Sequence, residues 1–159
     1  MTMPPPELQT DRIDRKILAA LQRQGRLPLT ELAQEVGLST SPVAERVRRL
    51  ERAGVITGYH AHVHPAALGR PLLVFVELTL SSKSGELFEK LRGELLHEPR
   101  VLECHLVSGR FDYLIKARLA AMSEYRELLA QILKKIPVPA QSNSYVVMEE
   151  IKETLELPT

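Results

Sequence analysis

The densest chemistry in the chain lies between positions 39 and 52. Ser39, Thr40 and Ser41 precede a run with Arg46, Arg48, Arg49 and Arg52, interrupted by Glu45 and Glu51. At a helix start, hydroxyls and backbone N–H groups bind phosphate because the dipole is positive there. Arginines further along such a helix contact phosphate or guanine. Ser39, Thr40, Ser41, Arg46, Arg48 and Arg49 are therefore candidates for contact with double-stranded DNA. The bland alternative is a solvated basic face.

Other reactive residues are scattered. His60, His62 and His64 alternate and would share one side of a strand, but neither cysteine nor carboxylate is close in sequence to complete a metal set. A solvent-facing hinge strand is the simpler reading, and no metal site is expected. The single cysteine, Cys104, has only His105 as a basic neighbour, on the opposite strand face, so a buried or interface thiol is favoured over a nucleophile. Asp112, His105 and Arg110 are the polar groups an enzyme built on the second half would have to use. A phosphate loop, a serine elbow and a metal triad are all missing, so no catalysis is expected.

The elements that must position these residues follow from periodicity. Asp11 is a plausible N-cap for a helix whose Ile13, Ile17, Leu18 and Leu21 make one apolar face, with Gly25 as its stop. A second short helix spans about 29–36, starting at Pro28 or Thr30, with Leu32, Ala33 and Val36 inward, and Gly37-Leu38 turns the chain. Ser39 or Thr40 caps a third helix carrying Pro42 in its first turn and Val43, Val47 and Leu50 inward, which leaves Ser41, Ala44, Arg48 and Arg49 facing solvent; Gly54 ends it. Helix, glycine turn and helix is the helix-turn-helix order, whose second helix reaches base edges through its N-terminal residues. Residues 55–63 read as an extended wing or connecting strand.

The second half changes period. Residues 72–80 read as a buried strand, 84–97 as a helix, 101–107 as an alternating strand and 111–119 as its hairpin partner across a Ser108-Gly109-Arg110 turn. A helix over 122–136 places Met122, Tyr125, Leu128, Leu129, Ile132 and Leu133 inward, and 145–151 is the last strand. The order βαββαβ is the ferredoxin-like unit. The α+β organisation expected is thus a proline-containing flexible arm at 1–10, a winged helix-turn-helix at 11–61, a linker strand or hinge at 62–70, and a ferredoxin-like domain at 71–159 that supplies assembly.

Composition narrows the class. Lysine and arginine number 21 against 20 acidic residues among 159, a formal net charge of +1, which excludes a histone-like coat. Aromatics are 4% and Trp is absent, which argues against stacking platforms for single strands. A membrane span and a signal peptide are not expected, and one cysteine fits a reducing compartment, so a cytoplasmic location is expected, with nucleoid association following only from the DNA-binding reading. Residues 1–60 hold nine basic and seven acidic residues, a net +2, while 61–159 hold twelve against thirteen, a net −1. A head with net +2 binds DNA weakly and loses affinity steeply in salt, so at least a dimer on two half-sites is needed.

These residues resemble the Lrp/AsnC (feast/famine) regulators. The similarity is carried by Asp11-Arg12-Ile13-Asp14-Arg15-Lys16-Ile17-Leu18, by Gly37-Leu38-Ser39 and Pro42-Val43, and by Glu45-Arg46-Val47-Arg48-Arg49-Leu50-Glu51. It continues through 73–77, 103–109, 111–113 and 145–150, is closest to the leucine-responsive branch, and covers roughly 11–155.

The resemblance implies a transcription regulator of amino-acid metabolism, dimers joined through the C-terminal sheet and assembling to octamers, and an amino-acid effector, leucine or similar, bound between dimers; no other cofactor is implied. It implies that Asp112 pairs with the effector's amino group and that Gly109 lets backbone N–H groups approach its carboxylate. Leu106, Met122, Tyr145, Val146 and Val147 match positions linked to leucine response or its pocket. Arg110 departs from the acidic residue typical of that branch, and its guanidinium could pair with the effector carboxylate or with Asp112. That departure keeps open an architectural, nucleoid-type role with little effector response.

Overall fold

The computed structural model describes residues 9–82 and 84–159; most of the expected arm, residues 1–8, lies outside the described residues. The chain divides into two units, residues 63–151 and a first unit made of 1–62 together with 152–159. The sequence reading places all of 71–159 in one domain, whereas the last eight residues group with the first unit.

In the first unit three helices surround one apolar cluster. Helix α1 (Arg12–Arg23) begins with a capping box, in which the Asp11 carboxylate accepts the Asp14 N–H at 2.8 Å and Asp14 accepts the Asp11 N–H at 3.1 Å. Helix α2 (Leu29–Val36) ends at Gly37, whose φ of 75° is left-handed, and the Leu38 N–H returns to the Ala33 carbonyl at 3.0 Å. Any side chain at 37 would be strained by that φ. Helix α3 (Thr40–Arg52) follows at once. Ile17, Leu32, Val43 and Leu50 have no exposed surface, and Leu21, Val55 and Ile56 pack around them. Residues 55–64 contain no strand, so the expected wing strand is absent; Val55 and Ile56 fold back on the cluster, and the N–H groups of both bond the Leu50 carbonyl. In the hinge, Pro65–Leu68 forms one 3-10 turn.

The second unit is a four-stranded antiparallel sheet under two helices. Its elements are β1 (Leu72–Leu80), α4 (Gly85–Leu96), β2 (Val101–Leu106), β3 (Tyr113–Leu119), α5 (Met122–Lys135) and β4 (Ala140–Val146). The spatial order β2-β3-β1-β4 is that of the ferredoxin-like unit. Val74, Val76, Leu78 and Leu80 of β1 and Tyr113, Ile115, Ala117 and Leu119 of β3 face Leu87, Leu91 and Leu95 of α4 and Tyr125, Leu128 and Ile132 of α5. By alternation, Phe75, Glu77, Leu114, Lys116 and Tyr145 lie on the other face.

The structure corrects three expectations here. The last strand ends, rather than begins, near 145. Its partners run from Ala140 opposite Leu80 to Val146 opposite Val74, and Met148 is fully exposed. Strand β3 begins at Tyr113, because Phe111 and Asp112 still belong to the bend. Met122 is 47% exposed, since α5 turns Tyr125, Leu128 and Ile132 inward instead.

A bulge between Val101 and Glu103 also resets strand β2. Val101 packs on the core, on the same sheet face as Cys104, which pairs with Ile115.

A candidate DNA-binding face and a candidate effector turn

Helix α3 presents its first turn to solvent. Ser39 holds the N-cap position without using its hydroxyl as a cap, and Thr40 and Ser41 are exposed, so all three hydroxyls are available. Arg48 is also outward: its side chain is 67% exposed, and Glu45, 4.0 Å away, is its nearest charged partner. Arg52 reaches the same Glu45 at 3.0 Å.

Arg46 and Arg49 do something else. Arg46 Nη1 donates to Asp11 at 2.7 Å and to Asp14 at 2.8 Å, and Arg49 Nη2 donates to Asp14 at 2.6 Å. The expected solvent-facing Arg49 is therefore drawn toward α1, because Asp14 is wholly buried and an unpaired buried carboxylate is costly. The Asp14 N–H, and next the Arg46 guanidinium, hold the Asp11 carboxyl below its usual range; Asp11 and then Asp14 push the Arg46 guanidinium up. In the sequence, Asp14 stands out only within the family-like opening run. Its three-residue spacing from Asp11 is the local signal for the cap, but its partners on α3 lie 32 and 35 residues away.

His60, His62 and His64 are exposed and sit in the strandless stretch, so the shared strand face expected of them does not form. Cys104 is an exposed residue of the edge strand, yet its thiol faces the helix side, and desolvation there pushes it up to about 11. It is a thiol, not a thiolate, at neutral pH.

The turn between β2 and β3 is built by backbone bonds. The Val107 N–H donates to the Asp112 carbonyl and the Asp112 N–H to the Leu78 carbonyl, both at 2.9 Å. The Asp112 carboxylate accepts the Leu80 N–H at 2.8 Å, and the residue is 4% exposed. It is thus a buried anchor for the end of β1. Gly109 has φ 155° with open space where a Cβ would stand.

On the sheet face away from the helices, the Glu77 carboxylate beside the Tyr145 phenol raises its pKa, while the positive charge of Arg110 acts in the opposite sense. Asn143 donates to Glu77 at 3.4 Å. Tyr145 thus lies in a polar cluster with Glu77 and Asn143, two residues the sequence did not single out, and within electrostatic reach of Arg110. Leu106 and Met122 are not brought to it. Leu106 lies on edge strand β2 and Tyr145 on the opposite edge strand, and Met122 follows the far end of β3, about 20 Å along the strand from the turn. Val146 is exposed beside Tyr145, and the half-buried Val147 donates its N–H to the Leu73 carbonyl at 3.0 Å.

No described helix is long and apolar enough to cross a membrane. Residues 10–57 match the winged helix-turn-helix DNA-binding family, and residues 73–157 match the Lrp/AsnC ligand binding domain. The leucine-responsive regulatory protein of Escherichia coli K12 is 48% identical over 152 residues, covering 96% of this chain and 93% of that protein. An AsnC family transcriptional regulator from Agrobacterium tumefaciens superposes with a TM-score of 0.89 at 34% identity, covering 94% of this chain and 97% of the other. A transcriptional regulator from Neisseria meningitidis, solved as a complex with L-methionine, gives 0.88 at 32% identity with the same coverages. Helix-turn-helix, ferredoxin-like sheet and these likenesses agree that the chain belongs to the Lrp/AsnC family of DNA-binding transcriptional regulators.

Proposed function

We propose that this regulator binds its operator through the first turn of α3 and Arg48, and that an aliphatic amino acid, leucine or methionine, tunes that binding from a site between chains. One observation carries the second half of the reading. Leu106, Met122, Tyr145 and Val146 are exposed apolar or aromatic residues of a single chain and do not converge within it. A pocket that uses them all needs residues from more than one copy, as in a dimer or an octamer of dimers. L-methionine accompanies two solved relatives, those from Neisseria meningitidis and Mycobacterium tuberculosis, and supports an amino-acid effector.

In this reading Ser39, Thr40 and Ser41 hold phosphate at the helix start. Arg48 reaches into the groove or onto the backbone. Gly109 admits the effector carboxylate to the backbone N–H groups of the turn, and Arg110 supplies a cation for the same carboxylate. Asp112 acts mainly by fixing that turn, and it meets the effector amino group only from the edge of its buried position. A location in the cytoplasm, on the nucleoid, follows from the DNA partner.

Calorimetry against the twenty amino acids, paired with light scattering, tests this. Binding of leucine or methionine, with affinity falling when the oligomer is diluted to smaller species, is the expected result. Binding by none would favour the architectural alternative.

A further inference from the structure

Asp14 stands out as a buried acid within an apolar cluster. It has no exposed surface, and the other buried residues of its helix, Ile17 and Ala20, belong to that cluster. Both carboxylate oxygens are spent on helix α3: Oδ1 accepts from Arg46 at 2.8 Å and Oδ2 from Arg49 at 2.6 Å. Asp11 adds a second bond to Arg46 at 2.7 Å. The Nε of Arg49 is buried without a partner, so the Nε edge of this guanidinium faces the protein at some cost in unmade hydrogen bonding, while 42% of the side chain stays exposed. Arg48 and Arg52, by contrast, lie 67% and 65% exposed on the surface with Glu45. The four arginines of α3 are thus sorted into two tied to α1, Arg46 and Arg49 at 27% and 42% side-chain exposure, and two turned outward.

We propose that Asp14 is a positioning and specificity-determining residue for DNA binding, which withholds Arg46 and Arg49 from the phosphate backbone and fixes the roll of α3. The inference rests on the reading that α3 faces DNA. Each arginine offered to phosphate adds sequence-independent affinity, whereas base contacts carry discrimination. Holding two cations back in every head lowers the first quantity more than the second. The arrangement also explains how a head with four arginines on one helix avoids indiscriminate attachment.

The test uses the full chain with Asp14→Asn, which keeps the side chain's size and one acceptor oxygen but removes the charge. Binding is measured to a duplex that the protein itself selects from a random-sequence pool, and to an unrelated duplex, across a series of potassium chloride concentrations. The expected result is about 3- to 10-fold tighter binding to the unrelated duplex at low salt, with a salt slope steeper by about 1–2 per head. The ratio of selected to unrelated affinity falls accordingly. Merely loosening the fold would weaken binding to both duplexes and flatten the slope.

Asp11→Asn is the second variant, and it keeps the test decisive if Asp14→Asn fails to fold. Asp11 is about half exposed and pairs only with Arg46, which keeps its bond to Asp14, so its replacement spares the core and loosens Arg46 in part; it should give a smaller change in the same direction. Asp14→Glu, which keeps the charge, should return the unrelated-duplex affinity toward wild type. An unchanged or weakened affinity for the unrelated duplex in the folded variants overturns the proposal. Failure of the α3 reading shows separately, as an Arg48→Ala variant that keeps wild-type affinity for the selected duplex.

Discussion

The Asp112 carboxylate ties the β2–β3 turn to the end of strand β1 by accepting the Leu80 N–H at 2.8 Å. The Asp112 N–H bonds the carbonyl of Leu78 at 2.9 Å, so one residue engages β1 twice. Turn geometry, and with it any ligand held by the turn backbone, depends on this carboxylate whether or not it touches the ligand.

Asp112→Ala therefore has two effects. It strands a buried N–H, at a cost of about 1–3 kcal/mol, and it frees the turn. Thermal denaturation should show a lower midpoint, and calorimetry should show weaker amino-acid binding. Asp112→Asn keeps an acceptor and should retain most of the stability. An unchanged midpoint for Asp112→Ala would show that the Leu80 bond contributes nothing, and would return Asp112 to a direct role with the effector.

Arg48 and Arg49 are adjacent yet should behave oppositely. Arg48→Ala removes an outward cation and should weaken DNA binding with an unchanged melting temperature. Its salt slope should fall by about 0.9 for each phosphate that is no longer neutralised. Arg49→Ala deprives buried Asp14 of one of its two guanidinium partners and should cost about 1–3 kcal/mol of stability. Gel-shift titration beside thermal melts separates them. Equal stability of the two variants would contradict the ion pair between α1 and α3.

The contrast marks what the sequence could and could not disclose. Both helices of the helix-turn-helix, the Gly37 turn and the inward triad of Val43, Val47 and Leu50 follow from local periodicity and were legible. The partners of Asp14 were not, because a carboxylate at one helix start and guanidiniums more than thirty residues later share no local pattern. Strand β4 was misplaced for a related reason. Its residues Gln141, Ser142, Asn143 and Ser144 are polar, and their pairing with β1 is a tertiary fact. The apolar run Tyr145-Val146-Val147-Met148 looked more like a strand, although Met148 is left in solvent. At the candidate effector site, the turn was legible from Gly109, whereas Glu77 and Asn143 become neighbours of Tyr145 only through sheet register.

Acid should destabilise the second unit in a definable way. The Arg100 guanidinium holds the Glu98 carboxyl below its usual range, and the Arg118 guanidinium does the same for Glu150. A carboxyl whose pKa is lower when folded binds fewer protons than in the unfolded chain. Its contribution is present above the unfolded value of about 4.3 and is lost as pH falls through the folded value. Melting temperature should therefore be flat from neutrality to about pH 5 and fall below that. Glu98→Gln should melt lower at pH 7 but lose less on acidification, since Arg100 bonds both Glu98 oxygens, at 2.6 and 2.8 Å. Parallel acid profiles for the variant and the wild type would remove this pair as a contributor.

The C-terminal residues offer a local test of how the first unit is closed. The Gln22 carboxamide pairs with the backbone of Leu157 in both directions: its Nε2 donates to the Leu157 carbonyl at 3.1 Å, and its Oε1 accepts the Leu157 N–H at 2.7 Å. A side-chain amide here takes the place of a neighbouring strand's peptide group. The pairing is exposed, and Leu155 and Leu157 keep most of their surface in water, so little apolar burial supports the tail. Its order should depend on these two bonds, each contributing about 0.5–1.5 kcal/mol. Gln22→Ala should speed amide exchange at Leu157 by roughly 10-fold while helix α1 and the global melt stay unchanged. Gln22→Glu keeps the acceptor but loses the donor and should fall between. Because the tail carries no buried core residue, equal exchange in wild type and Gln22→Ala would mean that the last eight residues are held by something other than α1.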